Sequence, residues 1–560
     1  MKKITALLLA AVMALSMAAC GTKDSGNVKE AVIGGAEDNE ATEDGGAGDA
    51  SGRGGDEGPA IADRPQPIVM HIYGSEYLDQ EAGDYTLLAS YNVSGVILSD
   101  ESSKRYPKLA KTLDDRWKEQ KSAEKDWLSE NKEYAREQYG YQDDYFSNYE
   151  DESDAYISRC DDRVLGVRTY AYGYLGGAHG YYGTYGTTYE VESGKELALS
   201  DVVTDLSVIK NTVKEKLSEG YPELLEEMGS FNAWDTIDDM FSDNPEYDPV
   251  WVMTSSGIEF YFNPYTLASY AAGAQEVSVS YSEIKDIMEE KYLPDPDMAY
   301  ISSLSWGGET ANLIDLNDDG VLEYLTIHAE YDYENEMYDD VRLLVNGNER
   351  KLDELTDMFD LDLKLVTFPS GTILAVVSGH TYNDYIVRTI CAITGDSIKE
   401  CGTTSLSMQG ASTGRDSNEY GEYVAVDPAV LPMAKHLDIL STYGGRKTYR
   451  LTEEGQFESD DAYYMIPNED GFFTLSVKQD FTADIIEEDG TVIEEGALIA
   501  HGTDLALYRT DGNDKEGETA IVDARLHDGR IVRMEVTVNY PHTVDGIEEF
   551  ELFDNLMYAG

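Results

Sequence analysis

The chain has 560 residues, 109 acidic against 42 basic, for a formal charge of -67. Phosphate backbones are bound by clustered Lys and Arg, so nucleic acid is not an expected partner, and anionic glycans and lipid surfaces are disfavoured for the same reason. Cationic proteins and divalent metals are favoured, the proteins through faster encounter at low salt.

Lys2 and Lys3 precede an apolar run from Ile4 to Leu15, the plan of a signal peptide too short to span a bilayer. Met17-Ala18-Ala19-Cys20 then resembles a bacterial lipobox. That resemblance implies cleavage before Cys20 and lipidation of its sulfur, and residues 1–20 are read as the lipoprotein signal. At roughly 0.8 kcal/mol per buried methylene, several acyl chains would hold the protein durably on the extracytoplasmic face of the membrane. An ordinary secretory signal with an adjacent cysteine is the alternative. Residues 21–66 are mostly Gly, Ala, Asp and Glu and cannot bury enough apolar surface to offset ordering entropy, so they read as a disordered acidic tether. The remainder is long enough for two to four domains.

Within 67–160, Tyr85, Leu87, Ala89, Tyr91 and Val93 alternate as in a strand. Tyr106, Leu109, Leu113 and Trp117 recur at helical spacing, with the stripe kept through Trp127 to about Tyr134. Val164 to Tyr174 returns to strand, with Tyr170, Tyr172 and Tyr174 sharing one face. A glycine loop, Gly176-Gly177-Ala178-His179-Gly180, leads into Tyr181, Tyr182, Tyr185 and Tyr189. Ser200-Asp201 and Asp205 are candidate caps ahead of a helix carrying Ile209, Val213 and Leu217, and Ser280-x-x-Glu283 has capping-box spacing. Trp251 to Phe262 reads as strand with a Ser255-Ser256-Gly257 turn, and Pro294-Asp295-Pro296-Asp297 as a domain boundary. Strands, a long helix, then strands predict an α+β module, an antiparallel sheet with covering helices.

GGAHG, the tyrosine strand and SGKELALSD resemble the C-terminal extracytoplasmic domain of lysozyme-sensing anti-sigma factors of the RsiV type. A second match, Gly257-Ile258 through Phe260-Tyr261-Phe262-Asn263-Pro264-Tyr265 to Tyr270-Ala271-Ala272-Gly273, belongs to the same pattern. A related domain pair precedes the catalytic domain of PdaC-type peptidoglycan deacetylases. The resemblance covers residues 67–293: 67–160 as the first domain of the deacetylase type, 161–293 as the RsiV-type domain. It implies lysozyme as a candidate ligand. Aromatic residues at a glycine loop suit recognition, since Tyr offers large contact area with few rotors, and the contact is expected at Gly176, Gly177, His179, Tyr181, Tyr182 and Tyr185.

The second half, 300–460, is read as β-rich. Asp315-x-Asn317-x-Asp319-Gly320-Val321-x-Glu323 places oxygens at alternate positions, and a hard cation takes six or more of them. The loop resembles the calcium loops of FG-GAP and integrin-type blades; Asp315, Asn317, Asp319, the Val321 carbonyl and Glu323 are the candidate ligands, in a structural role. An unmetallated acidic turn is the alternative. Strand–turn–strand units at 341–352, 387–400 and 447–457 fit either a propeller-like arrangement or a sandwich. Cys391 and Cys401 flank the middle turn and are candidates for a disulfide, with two free thiols the other outcome. Residues 470–560 carry short strands and tight turns, as in a small barrel or sandwich.

No nucleophile motif, zinc motif or phosphate loop occurs, and the eight histidines form no paired metal motif. The deacetylase chemistry is therefore not expected, nor an organic cofactor. The expected function is a lipid-anchored, non-catalytic binding module for lysozyme or a cell-wall component. Glycan hydrolysis, and a calcium-stabilised adhesion or structural role, are the alternatives.

Overall fold

The computed structural model describes residues 64–558 apart from 80–83, 143–145, 226–231, 243–246, 307–311, 318–320, 382–385, 409, 412–417 and 469–470. The expected signal peptide, Cys20 and most of the expected tether lie outside the described residues. The chain from Glu57 onward forms one compact unit, mainly of β-sheet.

The first sheet is built from β1 (Pro67–Asp79), β2 (Asp84–Leu98), β3 (Tyr149–Cys160), β4 (Val164–Tyr174), β5 (Tyr181–Glu190) and β6 (Lys195–Glu196). Between β2 and β3 run a short helix α1 (Asp100–Arg105) and the 36-residue α2 (Pro107–Gln142). Ser99 caps α1 through its side chain, and α2 opens on Pro107, which lacks the N–H that a first helical turn leaves unpaired anyway. The predicted stripe buries Leu109, Leu113, Trp117 and Trp127 on the sheet, each large apolar side chain contributing about 1.5–3 kcal/mol. Gly95 makes the docking close: a Cβ there would lie 2.5 Å from the Trp117 ring. The sheet is not wholly antiparallel as expected, because β2 and β3 pair in parallel. Parallel neighbours need a long crossover, and α2 is that crossover.

The helix α3 (Leu206–Gly220) and α4 (Ala233–Met240) pack on a three-stranded sheet of β7 (Val250–Met253), β8 (Gly257–Phe262) and β9 (Gln275–Ser280). Asp205 caps α3 and Ser280 with Glu283 forms the capping box, both as the sequence predicts. This sheet closes onto the first one through absent side chains: a Cβ on Gly186 would lie 2.2 Å from the Trp251 carbonyl oxygen, and one on Gly166 would lie 2.4 Å from that of Met253.

In the second half, β10 (Tyr300–Leu304), β15 (Asp360–Thr367), β16 (Ile373–His380), β17 (Ile386–Thr394) and β18 (Ser397–Thr404) form one sheet. β11 (Asn312–Ile314), β12 (Glu323–Asp332), β13 (Met337–Val345) and β14 (Asn348–Lys351) form another. Leu343, Leu363, Ala375 and Cys391 fill the core between these two, while Leu374, Val376 and Ile390 face a third sheet. Of the two arrangements left open by the sequence, the layered one is found. β16, covered on both faces, is accordingly an almost unbroken apolar run.

The disulfide does not form; both thiols are free. Cys391 lies in the core shared with β11–β14, whereas Cys401, displaced by a bulge opposite Ile390 and Cys391, packs beside Ile390 against the third sheet. Successive strand residues point to opposite faces, which sets the two sulfurs apart.

The third sheet has fourteen strands and curls into a half-barrel, joining the strands of 470–560, read from the sequence as a small barrel or sandwich, to strands that precede them. It starts at β19 (Ser407–Met408), β22 (Leu431–Asp438) and β23 (Thr442–Leu451), and reaches through β25 (Tyr464–Met465) to β29 (Asp504–Thr510). It therefore crosses the expected boundary at 460–470. β30 (Thr519–Arg525), β31 (Ile531–Thr537), β27 (Phe481–Ile486) and finally β28 (Val492–Ile499) complete the path.

Two features tie the halves. β20 (Gly410–Ala411) and β21 (Glu419–Tyr423) add to the first sheet, with β21 antiparallel to β1, and Glu419 accepts bonds from Trp117 and Lys121 of α2. Arg64, expected in the tether, is buried: it donates to the carbonyls of Ala299 (2.9 Å) and Val426 (3.1 Å) and pairs with Asp427. Arg64, Pro65 and Gln66 thus belong to the fold. The proline-rich segment at 294–297 is also fastened, by Tyr300 accepting from the Asp295 amide and by Arg163 reaching the Leu293 carbonyl.

Candidate functional site

Register places the tyrosines. On β4, Tyr170 lies opposite Asp154 of β3 and Thr184 of β5, and Tyr172 opposite Glu152 and Tyr182. Residues directly opposite share a face of the sheet, so Tyr170, Tyr172, Tyr182, Glu152 and Asp154 line the face away from α2. Burial, then neighbouring phenols and carboxylates, raise the Tyr170 and Tyr172 hydroxyls, which stay protonated and can donate hydrogen bonds.

The two motifs of the family resemblance meet here. The His179 ring stacks on Tyr270 with centroids 3.8 Å apart, and its Nε2 lies 3.5 Å from the Tyr265 hydroxyl. Tyr182 meets Tyr270 edge-on at 5.7 Å. The junction is held by Asn263, whose side chain exchanges hydrogen bonds with the Thr184 backbone in the space left by Gly183. Tyr265 is 54% exposed and takes φ of 72°, a left-handed conformation that bulky residues rarely adopt and that clusters at binding sites.

The acidic character continues toward the second half. His71 of β1 stacks on Tyr420 of β21 at 4.8 Å, and its neighbours are Glu422 and Asp154. Burial lowers the His71 pKa, outweighing both carboxylates. The face is thus a set of tyrosines and imidazoles bordered by Glu150, Glu152, Asp154 and Glu422.

The structure does not bring the six expected contact residues to one place. His179 and Tyr182 lie in the aromatic cluster, but Tyr181 and Tyr185 point to the α2 side, where the Tyr181 hydroxyl donates to Asp151 at 3.3 Å. Tyr181 and Tyr182 are consecutive in a strand and must face opposite ways. Gly176, with φ of 74°, fastens the loop to α2: its carbonyl accepts from Gln138, and a Cβ would lie 2.0 Å from that side chain. Gly177 has no such constraint. Tyr265, Tyr270 and the carboxylates of β3 were not among the expected contacts, although both tyrosines stand in the second motif.

Behind the sheet, Asp151 and Glu124 of α2 are both buried and hydrogen-bonded to each other. Burial raises both carboxyls above the usual carboxylate range: Glu124 goes to about 8, with repulsion from Asp151 adding to the rise, and Asp151 to about 6, held down by its hydrogen bonds with Tyr181 and Glu124. Stability from this shared proton is full below the ordinary Glu pKa of about 4.5 and is lost as pH rises through the elevated one. Glu124→Gln is expected to flatten this dependence and to stabilise the chain by about 2 kcal/mol above neutrality. Urea unfolding at pH 5 and pH 8 checks it; equal shifts at both would disprove a shared proton. The pair is also too close for a glycosidase, whose carboxyls stand about 5–9.5 Å apart.

At the calcium-like loop, Asp315 and Glu323 are buried and Asp319 lies outside the described residues. Glu323 accepts from the Leu316 amide (2.8 Å) and the Asn317 side chain (3.2 Å), and the Val321 side chain is exposed. The carboxylate thus serves the hairpin turn itself. Among the described residues no three His, Cys, Asp or Glu side chains form a metal-binding group.

No helix among the described residues is long and apolar enough to cross a membrane. No curated protein matches the chain. Among solved structures, a DUF3298-family member from Bacteroides fragilis is similar at 13% identity, covering 41% of this chain and 96% of its own, with a TM-score of 0.31. A DUF3298 family protein from Pseudomonas aeruginosa is similar at 16% identity, covering 42% and 99%, with a TM-score of 0.28. Residues 200–282, the stretch that supplies α3, α4, β7–β9 and the Tyr265–Tyr270 half of the aromatic cluster, match the family model described as "Protein of unknown function (DUF3298)".

Proposed function

We propose that this is a non-catalytic binding protein of the cell surface, lipid-anchored at Cys20, whose acidic tyrosine face takes a cationic protein. Lysozyme is the first candidate, from the resemblance to RsiV-type domains, and a cell-wall component the second. The observation that carries the reading is the meeting of His179, Tyr182, Tyr265 and Tyr270 beside a row of strand carboxylates. Tyrosines supply rigid contact area and the carboxylates supply steering toward positive charge.

The test is titration calorimetry of residues 21–560 with a cationic lysozyme at low and moderate salt. A 67–293 fragment would lose both β21 and the Arg64 contacts, so the longer chain is the right material. Saturable one-to-one binding that survives moderate salt is expected. Tyr182→Ala and Tyr270→Ala should each weaken it about tenfold or more, as central aromatic contacts do, while Tyr185→Ala, on the opposite face, should not. Binding that vanishes with salt, or equal effects of all three variants, would refute the reading. Turnover of purified peptidoglycan would favour the hydrolase alternative instead.

A further inference from the structure

The fourteen-stranded sheet ends on β28, and among the described residues no strand pairs with its outer side. β28 reads VIEEGALI, and it leaves Val492 43%, Ile493 59% and Leu498 67% exposed. It is held from one side only, by β27, in a register broken by two bulges. An open strand edge carrying exposed apolar side chains is a template for a further strand. Most edges of this kind are shielded or shortened.

Charge decides what could fill it. Between Lys478 and Arg509 the chain has no Lys or Arg and eight Asp or Glu. Several are engaged: Asp484 accepts from the Gly496 amide, and Glu488 pairs with Arg525. Glu494 and Glu495, on β28 itself, make no ion pair or side-chain hydrogen bond among the described residues. Two copies pairing through β28 would set identical acidic strands side by side, and like charges facing across a strand pair are destabilising. An incoming strand that alternates basic and apolar residues meets both requirements, backbone pairing and charge.

We propose that β28 is a docking edge that takes an extended basic and apolar segment of a partner protein as an added strand. Backbone hydrogen bonds would supply the affinity, with Ile493 and Leu498 as apolar contacts and Glu494 and Glu495 selecting positive charge. The site is on a different sheet from the tyrosine face and does not depend on that reading.

The probe is a peptide of about twelve residues alternating Lys with Val or Thr, long enough to span one strand, added to residues 21–560. Its acidic counterpart and a version with Pro at alternate positions are the controls. Hydrogen exchange should slow at the amides of 492–498 with the basic peptide alone. Leu498→Lys and Ile493→Lys should weaken its binding at least tenfold, as should Glu494→Gln combined with Glu495→Gln. These side chains are exposed, so the fold is expected to survive, and an unchanged thermal transition verifies that. Protection elsewhere, for instance at Tyr170–Tyr182, or affinity indifferent to Leu498→Lys, would overturn the proposal. So would protection that grows with protein concentration in the absence of peptide, which would identify a second copy as the occupant.

Discussion

Asp161→Ala is expected to cost about 3–5 kcal/mol, among the largest effects of any single replacement in the first half. Asp161 and Arg159 are 1% and 0% exposed, and one carboxylate oxygen takes the guanidinium at 2.6–2.7 Å. The other oxygen accepts the backbone amides of Arg163 (2.9 Å) and Val164 (2.7 Å), forming the turn between β3 and β4. Arg159 also donates to Tyr281 and to the Tyr292 carbonyl, at 3.1 and 2.7 Å. Removing Asp161 leaves a buried cation with only neutral partners and a turn without its acceptor. The measurement is guanidinium unfolding followed by tryptophan fluorescence. Asp161→Asn retains an acceptor for the turn and should lose less, and Arg159→Met with Asp161→Ala should recover part of the loss, since the uncompensated charge is gone. A loss below about 1 kcal/mol for Asp161→Ala, the range of an exposed pair, would show that the charge is not buried in solution.

The second large effect is expected at Asp523. It is 0% exposed at the centre of β30, directly opposite Arg509 of β29 and Arg533 of β31. Arg509 donates at 2.7 Å and Arg533 at 2.8 Å to its two oxygens, and both guanidiniums lie over the Tyr463 ring. Asp523→Ala would leave two cations adjacent with no anion between them, a loss of about 3–5 kcal/mol. Hydrogen exchange should accelerate across β29–β31 well before the first sheet responds, because the two sheets bury separate cores. Uniform acceleration throughout the chain would contradict that independence. Replacing all three ionic residues by apolar ones of similar volume should restore much of the stability.

Local physics was legible in the sequence. The caps at Asp205 and Ser280, the stripe of α2 and the strand–turn–strand units at 341–352 and 387–400 all follow from side-chain chemistry within a few residues. The expected contact set ran Tyr181 and Tyr182 together, although adjacent strand residues alternate and the division follows from that alone. What the sequence hid is long-range pairing. Nothing in EYGEY announces that it will lie beside β1, some 350 residues earlier, and the same remoteness concealed the contacts of Arg64. The parallel β2–β3 pair follows from the crossover helix only once the sheet is known. Cys391 and Cys401 look opposed across a turn, but a one-residue bulge changes which face a side chain occupies.

The pairing of β1 with β21 has a consequence for assembly. A chain emerging from its N-terminus completes β1 to β6 long before residue 419 exists, so one edge of the first sheet must wait, open, for a late arrival. Closure of that edge is a high-contact-order step and belongs late in folding. Once made, it interlocks the molecule. A single cut at the Asn346-Gly347 turn would sever the backbone yet leave two pieces that still share a sheet, and they should travel together until a denaturant separates them.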